Sequence, residues 1–106
     1  MQNQEEYLLV MNTCPNSIVA QSIAGKIIDG KLAACVNILP QIISIYEWQG
    51  SKEQSAENLL LIKTTRKKYD ALQALIVKAH PYELPEVIAV RISDGLPDYL
   101  AWVGRN

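Results

Sequence analysis

Short apolar runs alternate with amphipathic stretches along the chain, and this alternation predicts the order of the first elements. Residues 7–11 form a continuous apolar run that suits a strand covered on both faces, although periodicity alone leaves a helix open. Apolar residues then recur at helical spacing over 19–27, between Asn16 as an N-cap and Gly30 as a C-terminal stop. The chain is therefore predicted to begin with a strand and a helix.

The middle of the chain predicts a long β-hairpin. Residues 33–48 consist mainly of strand-forming types, and Pro40 interrupts them at what we expect to be a bulge or an unpaired edge position. Residues 49–52 are predicted to form a turn, and residues 57–65 a second strand. A strand of about 15 residues is ~50 Å long. A compact domain of this size has a radius of gyration of only about 13 Å, so such a strand is longer than the domain is wide.

This hairpin is expected to project from its own domain, provided that residues 33–48 form one long bent strand. A bare projecting hairpin rich in Ile, Tyr and Trp is an aggregation hazard, so we expect a neighbouring copy to cover it. Composition supports association, because 49% of the 106 residues are hydrophobic and only 20% are charged. The hairpin therefore predicts an oligomer without fixing its size.

The second half of the chain completes an α+β pattern. Thr65 is expected to cap a helix with apolar positions over 69–79, and the pair His80-Pro81 ends it. Residues 87–92 predict a last strand, and a short helix follows from Asp98. The order β-α-β-β-α-β plus a C-terminal helix predicts a single ferredoxin-like domain over residues 1–106, with two helices on one sheet face. Another subunit is the simplest cover for the other face.

Charge and cysteine content narrow the class of partners and the compartment. The net charge is -1 and the single basic run, residues 66–68, is expected to be a solvated helix face, so no nucleic-acid partner is predicted. No apolar stretch is long enough to span a bilayer, and the polar, acidic residues 1–6 differ from a signal peptide. Two cysteines in such a chain indicate reduced thiols and a cytoplasmic location, with no membrane partner.

Five short motifs, in register over nearly the whole chain, resemble the CutA divalent-cation tolerance family. They are LAACVN at 32–37 followed by Pro40, SIYEWQG at 44–50, LIKTT at 61–65, HPYELPE at 80–86 and DYLAW at 98–102. The resemblance implies a ferredoxin-like homotrimer, similar in architecture to PII-type signalling proteins. It also implies a role in tolerance to copper and other divalent cations, with weak binding of copper or another divalent metal and no organic cofactor.

Two further functions stay open at this stage. The first is a PII-like regulatory or scaffold trimer that binds a small metabolite or a protein partner at clefts between subunits, which is an analogy of fold alone. The second is a small enzyme that uses His80 as a general base. The sequence carries no nucleophile motif, phosphate loop, CxxC pair or HExxH, so enzymatic activity is not expected.

His80, Cys14 and Cys35 are the candidate metal ligands. His80 is the only histidine, and imidazole binds copper and zinc, although a histidine at a helix end also serves to bond the last carbonyls. Cys35 suits Cu(I) as a thiolate, but in its Ala-Ala-Cys-Val context a small buried apolar residue is the favoured interpretation. Cys14 precedes Pro15 in a predicted loop and is expected to be the more accessible, more reactive thiol.

The family resemblance also implies a possible copper site. In some CutA proteins, copper binding is assigned to a cysteine at the end of the first strand and to paired histidines before the proline. Here Asn12 occupies the cysteine position and Ala79 the position of the first histidine. Cys14 can take the place of that cysteine only if its loop turns the sulfur toward His80.

Aromatic and charged residues give two further groups of candidates. The aromatic residues either line a ligand cleft or anchor a subunit contact, with the contact favoured for Trp48; they are Tyr46, Trp48, Tyr82, Tyr99 and Trp102. Four charged residues are expected to form a polar cluster at a subunit boundary, where an ion pair fixes register; they are Lys63, Glu57, Glu83 and Glu86.

Overall fold

One four-stranded antiparallel sheet and three helices make up the part of the chain that the computed structural model describes, residues 5–106. The elements in chain order are β1 (Tyr7–Cys14), α1 (Ser17–Asp29), β2 (Cys35–Trp48), β3 (Ser51–Thr65), α2 (Arg66–Ala79), β4 (Val87–Arg91) and α3 (Pro97–Arg105). The strands lie in the order β2-β3-β1-β4. This arrangement confirms the predicted ferredoxin-like α+β fold.

Local signals set the ends of the helices. The Asn16 side chain caps α1 by accepting a 2.9 Å hydrogen bond from the Val19 N–H, as predicted. α2 ends at Ala79, and the next residue, His80, still donates its N–H to the Ile76 carbonyl, while the following proline prevents a further turn. Thr65 occupies the N-cap position of α2, but its hydroxyl makes no capping bond. α3 begins at Pro97, one residue before the predicted start, because proline is well suited to the first helical position.

The main core lies between one face of the sheet and the helices α1 and α2. Residues with directly paired Cα atoms share a face, so Leu8, Val10 and their partners on β3 point the same way. The largest fully buried apolar side chains of this core are Leu8, Val10, Leu60, Ile62, Ile23, Ile27, Leu72 and Ile76. Burial of these side chains holds the two helices on the sheet.

The opposite sheet face is also apolar but is only partly covered. The register places Met11 opposite Leu61 on β3 and opposite Ile88 on β4, all on this second face. Val90 on the same face is 47% exposed, and Ile88 is 50% exposed. α3 contacts β1 and β3, and its Val103 is buried apart from the main core. The second face of β4 therefore presents apolar surface to solvent in a single chain.

The β2–β3 hairpin is long, as the sequence predicts, and its second strand is longer than predicted. Its two strands have 14 and 15 residues, and the chain measures 51 × 25 × 22 Å. The register shifts between Leu39 and Ile42, where Gln41 has a φ of 60°, so the predicted bulge at Pro40 is confirmed. The predicted four-residue turn is shorter in the structure, because Gln49 and Gly50 both adopt positive φ and close a two-residue loop.

Two strands extend beyond their predicted ends. β1 continues through Asn12 and Thr13 to Cys14, which pairs with Asn58 on β3. β3 begins at Ser51, six residues before its predicted start. Both extensions are mainly polar, so the pattern of hydrophobic residues did not predict them. Pairing with a neighbouring strand satisfies the hydrogen bonds of their backbone. Cys14 consequently lies in a strand, and its predicted loop position is wrong.

Candidate functional site

A cavity of about 740 Å³ lies between the end of β1, the hairpin and the segment after α2. Its lining residues are Thr13, Ser44, Ile45, Tyr46, Trp48, Glu57, Pro81, Tyr82, Glu83, Leu84 and Glu86. The HPYELPE motif and the SIYEWQG motif therefore face each other across one space. The two motifs are far apart in the chain but meet here, because β1 pairs with β3 of the hairpin and ends beside the C-terminus of α2.

Tyr82 and Glu57 connect the two sides of this cavity. The Tyr82 hydroxyl donates a 2.6 Å hydrogen bond to Glu57 Oε2. Glu57 is only 6% exposed. Burial raises the pKa of Tyr82 well above its usual range, and the hydrogen bond to Glu57 adds to the rise. The phenol is therefore a protonated donor, and the carboxylate is its acceptor.

His80 is held in one tautomer by its two ring nitrogens. Nε2 lies 2.8 Å from the Thr13 carbonyl oxygen, which can only accept, so Nε2 carries the proton. Nδ1 accepts a 3.2 Å hydrogen bond from the backbone N–H of Tyr82. The ring also lies against that of Tyr82, with centroids 4.7 Å apart. A metal can therefore reach His80 only at Nδ1, by displacing the longer of these two bonds.

Cys14 lacks the properties of a reactive thiol. It is fully buried, and its S–H donates to Asn12 Oδ1 at 3.3 Å. Burial and the nearby Glu57 carboxylate raise the pKa of the Cys14 thiol to about 11. The prediction of an accessible, reactive Cys14 is wrong, because β1 runs three residues past its predicted end at Met11 and the Cys14 side chain is buried.

Cys35 lies away from Cys14 on the sheet. Cys14 pairs with Asn58 and Cys35 pairs with Lys63, so five residues of β3 separate them, about 17 Å. Odd and even positions of a strand point to opposite faces, which places the two thiols on opposite faces of the sheet. Cys35 is half-buried in a single chain, where the sequence favoured a fully buried side chain. The two thiols of one chain cannot share a site.

The metal-ligand assignment of His80, Cys14 and Cys35 stays a prediction. Over residues 5–106, no three side chains of His, Cys, Asp or Glu lie close enough to hold one ion. His80 has the tautomer and the second-nitrogen bond to a carbonyl that are typical of metal-bound imidazoles. A single chain therefore offers one suitably oriented imidazole rather than a complete coordination shell.

The predicted aromatic and polar groups each divide in the structure. Tyr46, Trp48 and Tyr82 line the cavity, whereas Tyr99 and Trp102 stack on α3 with ring centroids 5.6 Å apart. Glu57, Glu83 and Glu86 line the cavity together. Lys63 lies six residues from Glu57 along β3, about 20 Å, and hydrogen-bonds Asn37 instead. Within one chain Lys63 therefore lies outside the group of glutamates, and a cluster across a subunit boundary stays a prediction.

Two polar residues at the end of β1 contribute more than the sequence indicated. Asn12 is fully buried, and its Nδ2 donates a 2.8 Å hydrogen bond to the Glu86 carbonyl while its Oδ1 accepts from Cys14. Thr13 supplies the carbonyl that orients His80. The only signal for these roles is the abrupt change from apolar to polar residues after Met11. A change of this kind is as typical of the start of a loop as it is of a functional site.

Comparison with known proteins decides the family. The model of the CutA1 divalent ion tolerance protein family matches residues 8–106. This chain belongs to that family. A CutA homolog of Xenopus laevis is 53% identical over 87% of this chain and 61% of its own length. The divalent-cation tolerance protein CutA of Thermus thermophilus is 42% identical over 96% of this chain and 97% of its own.

Solved CutA structures agree with this assignment. The Oryza sativa CutA1 crystal structure has a TM-score of 0.90 and 45% identity, over 92% of this chain and 90% of that chain. The Thermus thermophilus structure has a TM-score of 0.91 and 42% identity, over 97% and 98% respectively. The chain spans about half to three fifths of the length of the vertebrate relatives it matches. No helix within residues 5–106 is long and apolar enough to cross a membrane.

Proposed function

We propose that this CutA family member acts in divalent-cation tolerance as a homotrimer that binds copper or another divalent cation weakly. The observation that carries the assembly is the apolar surface left open on a single chain. Val90 and Ile88 are about half exposed on one face of the sheet, and Ile43 on the projecting hairpin is 64% exposed. A second copy of the same chain is the simplest cover for surfaces that continue the core.

Light scattering of the purified protein tests this assembly. We expect a mass three times that of the 11.8 kDa chain. Val90→Glu places a charge on the open sheet face and should shift the protein toward smaller species. Val77→Glu is the matched control, because Val77 is 51% exposed on the helix α2, away from that face. A monomeric wild-type protein, or equal behaviour of the two variants, would contradict the proposal.

Weak metal binding follows from the state of the candidate ligands. His80 presents Nδ1 to an incoming ion while its Nε2–H remains bonded to the Thr13 carbonyl. Cys14 is a protonated, hydrogen-bonded thiol, so it does not supply the thiolate that soft metals prefer. One imidazole gives low affinity, unless neighbouring subunits add ligands. Two unpaired thiols are typical of a reducing compartment and favour the cytoplasm as the location.

The cavity favours a second candidate function, a regulatory or scaffold trimer that binds a small molecule. Its volume of about 740 Å³ lies within the range of small-ligand sites, roughly 300–1,000 Å³. Aromatic walls and a few polar groups, such as those of Trp48, Tyr82 and Glu57, are also typical of such sites. Thermal shift against a panel of small molecules tests this function, because a ligand of the folded state raises the melting temperature with its concentration.

A further inference from the structure

The cavity carries negative charge that its own walls do not balance. Its lining includes the carboxylates of Glu57, Glu83 and Glu86 but no lysine or arginine of residues 5–106. The salt bridges of the described chain use Glu5 and Glu6 instead, at the other end of the sheet. The cavity therefore favours a ligand that carries positive charge.

Glu57 is the carboxylate that most needs a partner. It is more than nine-tenths buried, and Oε2 already accepts from Tyr82. Oε1 makes no hydrogen bond within residues 5–106, and it is not among the fully buried atoms that lack a partner, so it remains accessible. The negative charge of Glu57 acts on neighbouring groups, since it contributes to the raised pKa values of both Cys14 and Tyr82. A largely buried carboxylate with one accessible oxygen favours a ligand that brings a donor or a cation to that oxygen.

The remaining walls favour an organic ligand over a bare metal ion. Tyr46, Trp48 and Tyr82 present aromatic surface to the cavity, and aromatic faces attract cations. Hard metal ions prefer several oxygen ligands around one point, and residues 5–106 gather no such set. A cation with an apolar body satisfies both the carboxylate and the aromatic walls.

We infer that this cavity binds a small organic cation, an amine or quaternary ammonium whose charged group meets Glu57 and whose apolar body packs against Tyr46 and Trp48. The inference rests on the small-ligand candidate function above, for which it names the ligand class. Of that function it needs only the small-molecule site, which residues of one chain line, so it depends on neither the trimer nor metal binding.

Calorimetric titration of the intact protein tests the inference with three probes of similar size. Benzylammonium is the cation, the isosteric benzyl alcohol the neutral probe and phenylacetate the anion. We expect saturable binding of the cation, about tenfold or more tighter than that of the alcohol. Phenylacetate should bind more weakly than either, because the three cavity carboxylates repel it. Equal affinity for the cation and the alcohol would overturn the ligand class while leaving a small-ligand site in place.

Matched variants tie the charge preference to one residue. Glu57→Gln keeps an acceptor for Tyr82 but removes the charge, and it should lower affinity for the cation about tenfold while leaving the alcohol unchanged. Glu53→Gln is the control, since Glu53 is exposed on the same strand outside the cavity lining. If Glu57→Gln fails to fold, Glu86→Gln takes its place and should also lower the affinity for the cation. Equal effects of the cavity and control variants would overturn the inference.

The oligomeric state of the same sample separates this inference from the others. If light scattering shows an oligomer that binds none of the probes, a neighbouring subunit occupies the cavity and the inference is overturned. If the protein is monomeric but binds the cation selectively, the inference stands and the trimer proposal fails. Titration with Cu(II) tests the metal-binding proposal separately, whatever the oligomeric state and the affinity for the organic cation.

Discussion

The Tyr82 hydroxyl and the Glu57 carboxylate, 25 residues apart in the chain, meet in a 2.6 Å hydrogen bond. The bond joins the segment after α2 to the middle of β3. His80, two residues before Tyr82, extends the same connection to β1 through the Thr13 carbonyl. One short segment is thus held by side chains to two strands, and this fixes one wall of the cavity.

Tyr82→Phe should lower the free energy of unfolding by about 2 kcal/mol. The change removes the hydroxyl and leaves the buried Glu57 carboxylate without its donor, and bonds to charged acceptors are the stronger ones. Denaturant unfolding at a fixed chain concentration measures the loss. Tyr99→Phe is the control, because Tyr99 is partly exposed on α3 away from the cavity, and it should change stability by less than about 0.5 kcal/mol. Equal stabilities of the two variants would show that the Tyr82 bond contributes nothing.

Cys14 should resist alkylation in the folded protein at pH 8. Its pKa of about 11, above the ordinary 9.0, leaves almost no thiolate, and burial blocks the reagent. Iodoacetamide labelling followed by peptide mass spectrometry should find Cys14 unmodified until guanidinium unfolds the chain. Modification of folded Cys14 at the rate of a free thiol would refute the buried assignment.

The raised pKa of Cys14 also predicts the alkaline pH dependence of stability. Below pH 9 both folded and unfolded states keep the proton, so the stabilising contribution is complete. Between pH 9 and 11 the unfolded thiol ionises while the folded one does not, and stability falls as pH rises. Cys14→Ala should flatten this part of the stability profile. An identical decline in the variant would assign the pH dependence to other groups.

His80→Ala should weaken Cu(II) binding to the reduced protein by about tenfold or more, measured by calorimetry, because the best-oriented ligand is lost. It should also lower the free energy of unfolding by roughly 1–3 kcal/mol, since the Thr13 carbonyl loses its donor. Cys14→Ser is the control and should leave Cu(II) affinity unchanged, because the thiol is already protonated. Saturable Cu(II) binding that is unaffected by His80→Ala would sink the assignment.

The fold was predictable from the sequence wherever burial dictates residue type. The apolar periods of α1 and α2, the Asn16 cap and the proline after His80 marked the helices nearly to the residue. Polar strand ends were not predictable in this way. Residues 51–56 pair with the apolar strand β2 in the hairpin, so backbone hydrogen bonds rather than a hydrophobic face keep them extended.

The sequence indicated several residues of the site but not how they are arranged in space. Five aromatic residues were candidates for a cleft or a subunit contact, and three of them, Tyr46, Trp48 and Tyr82, line one cavity. Tyr99 and Trp102 lie on α3 instead. The separation of Lys63 from Glu57 follows from the predicted strand itself, because six residues of a strand span about 20 Å. The burial of Cys14, by contrast, depends on where β1 ends, and a polar strand end carries little signal.

The bulge that aims the hairpin should respond to substitution at Gln41. This residue has a φ of 60°, a left-handed conformation that costs most residues roughly 1–2 kcal/mol and costs glycine nothing. Gln41→Gly should therefore leave the free energy of unfolding unchanged or raise it by up to about 1 kcal/mol, despite the added flexibility of the unfolded chain. Gln41→Val should lower it by about 1–2 kcal/mol, since a β-branched side chain tolerates this conformation poorly.

Denaturant unfolding measures both effects, and Gln54 provides the control. Gln54 is exposed in β3, where the backbone is extended, so Gln54→Gly should be destabilising and Gln54→Val neutral or better. The two sites should thus show opposite orders of Gly and Val. The same order at both would mean that the bulge relaxes freely, and the direction of the hairpin would then have to be set by contacts with neighbouring subunits.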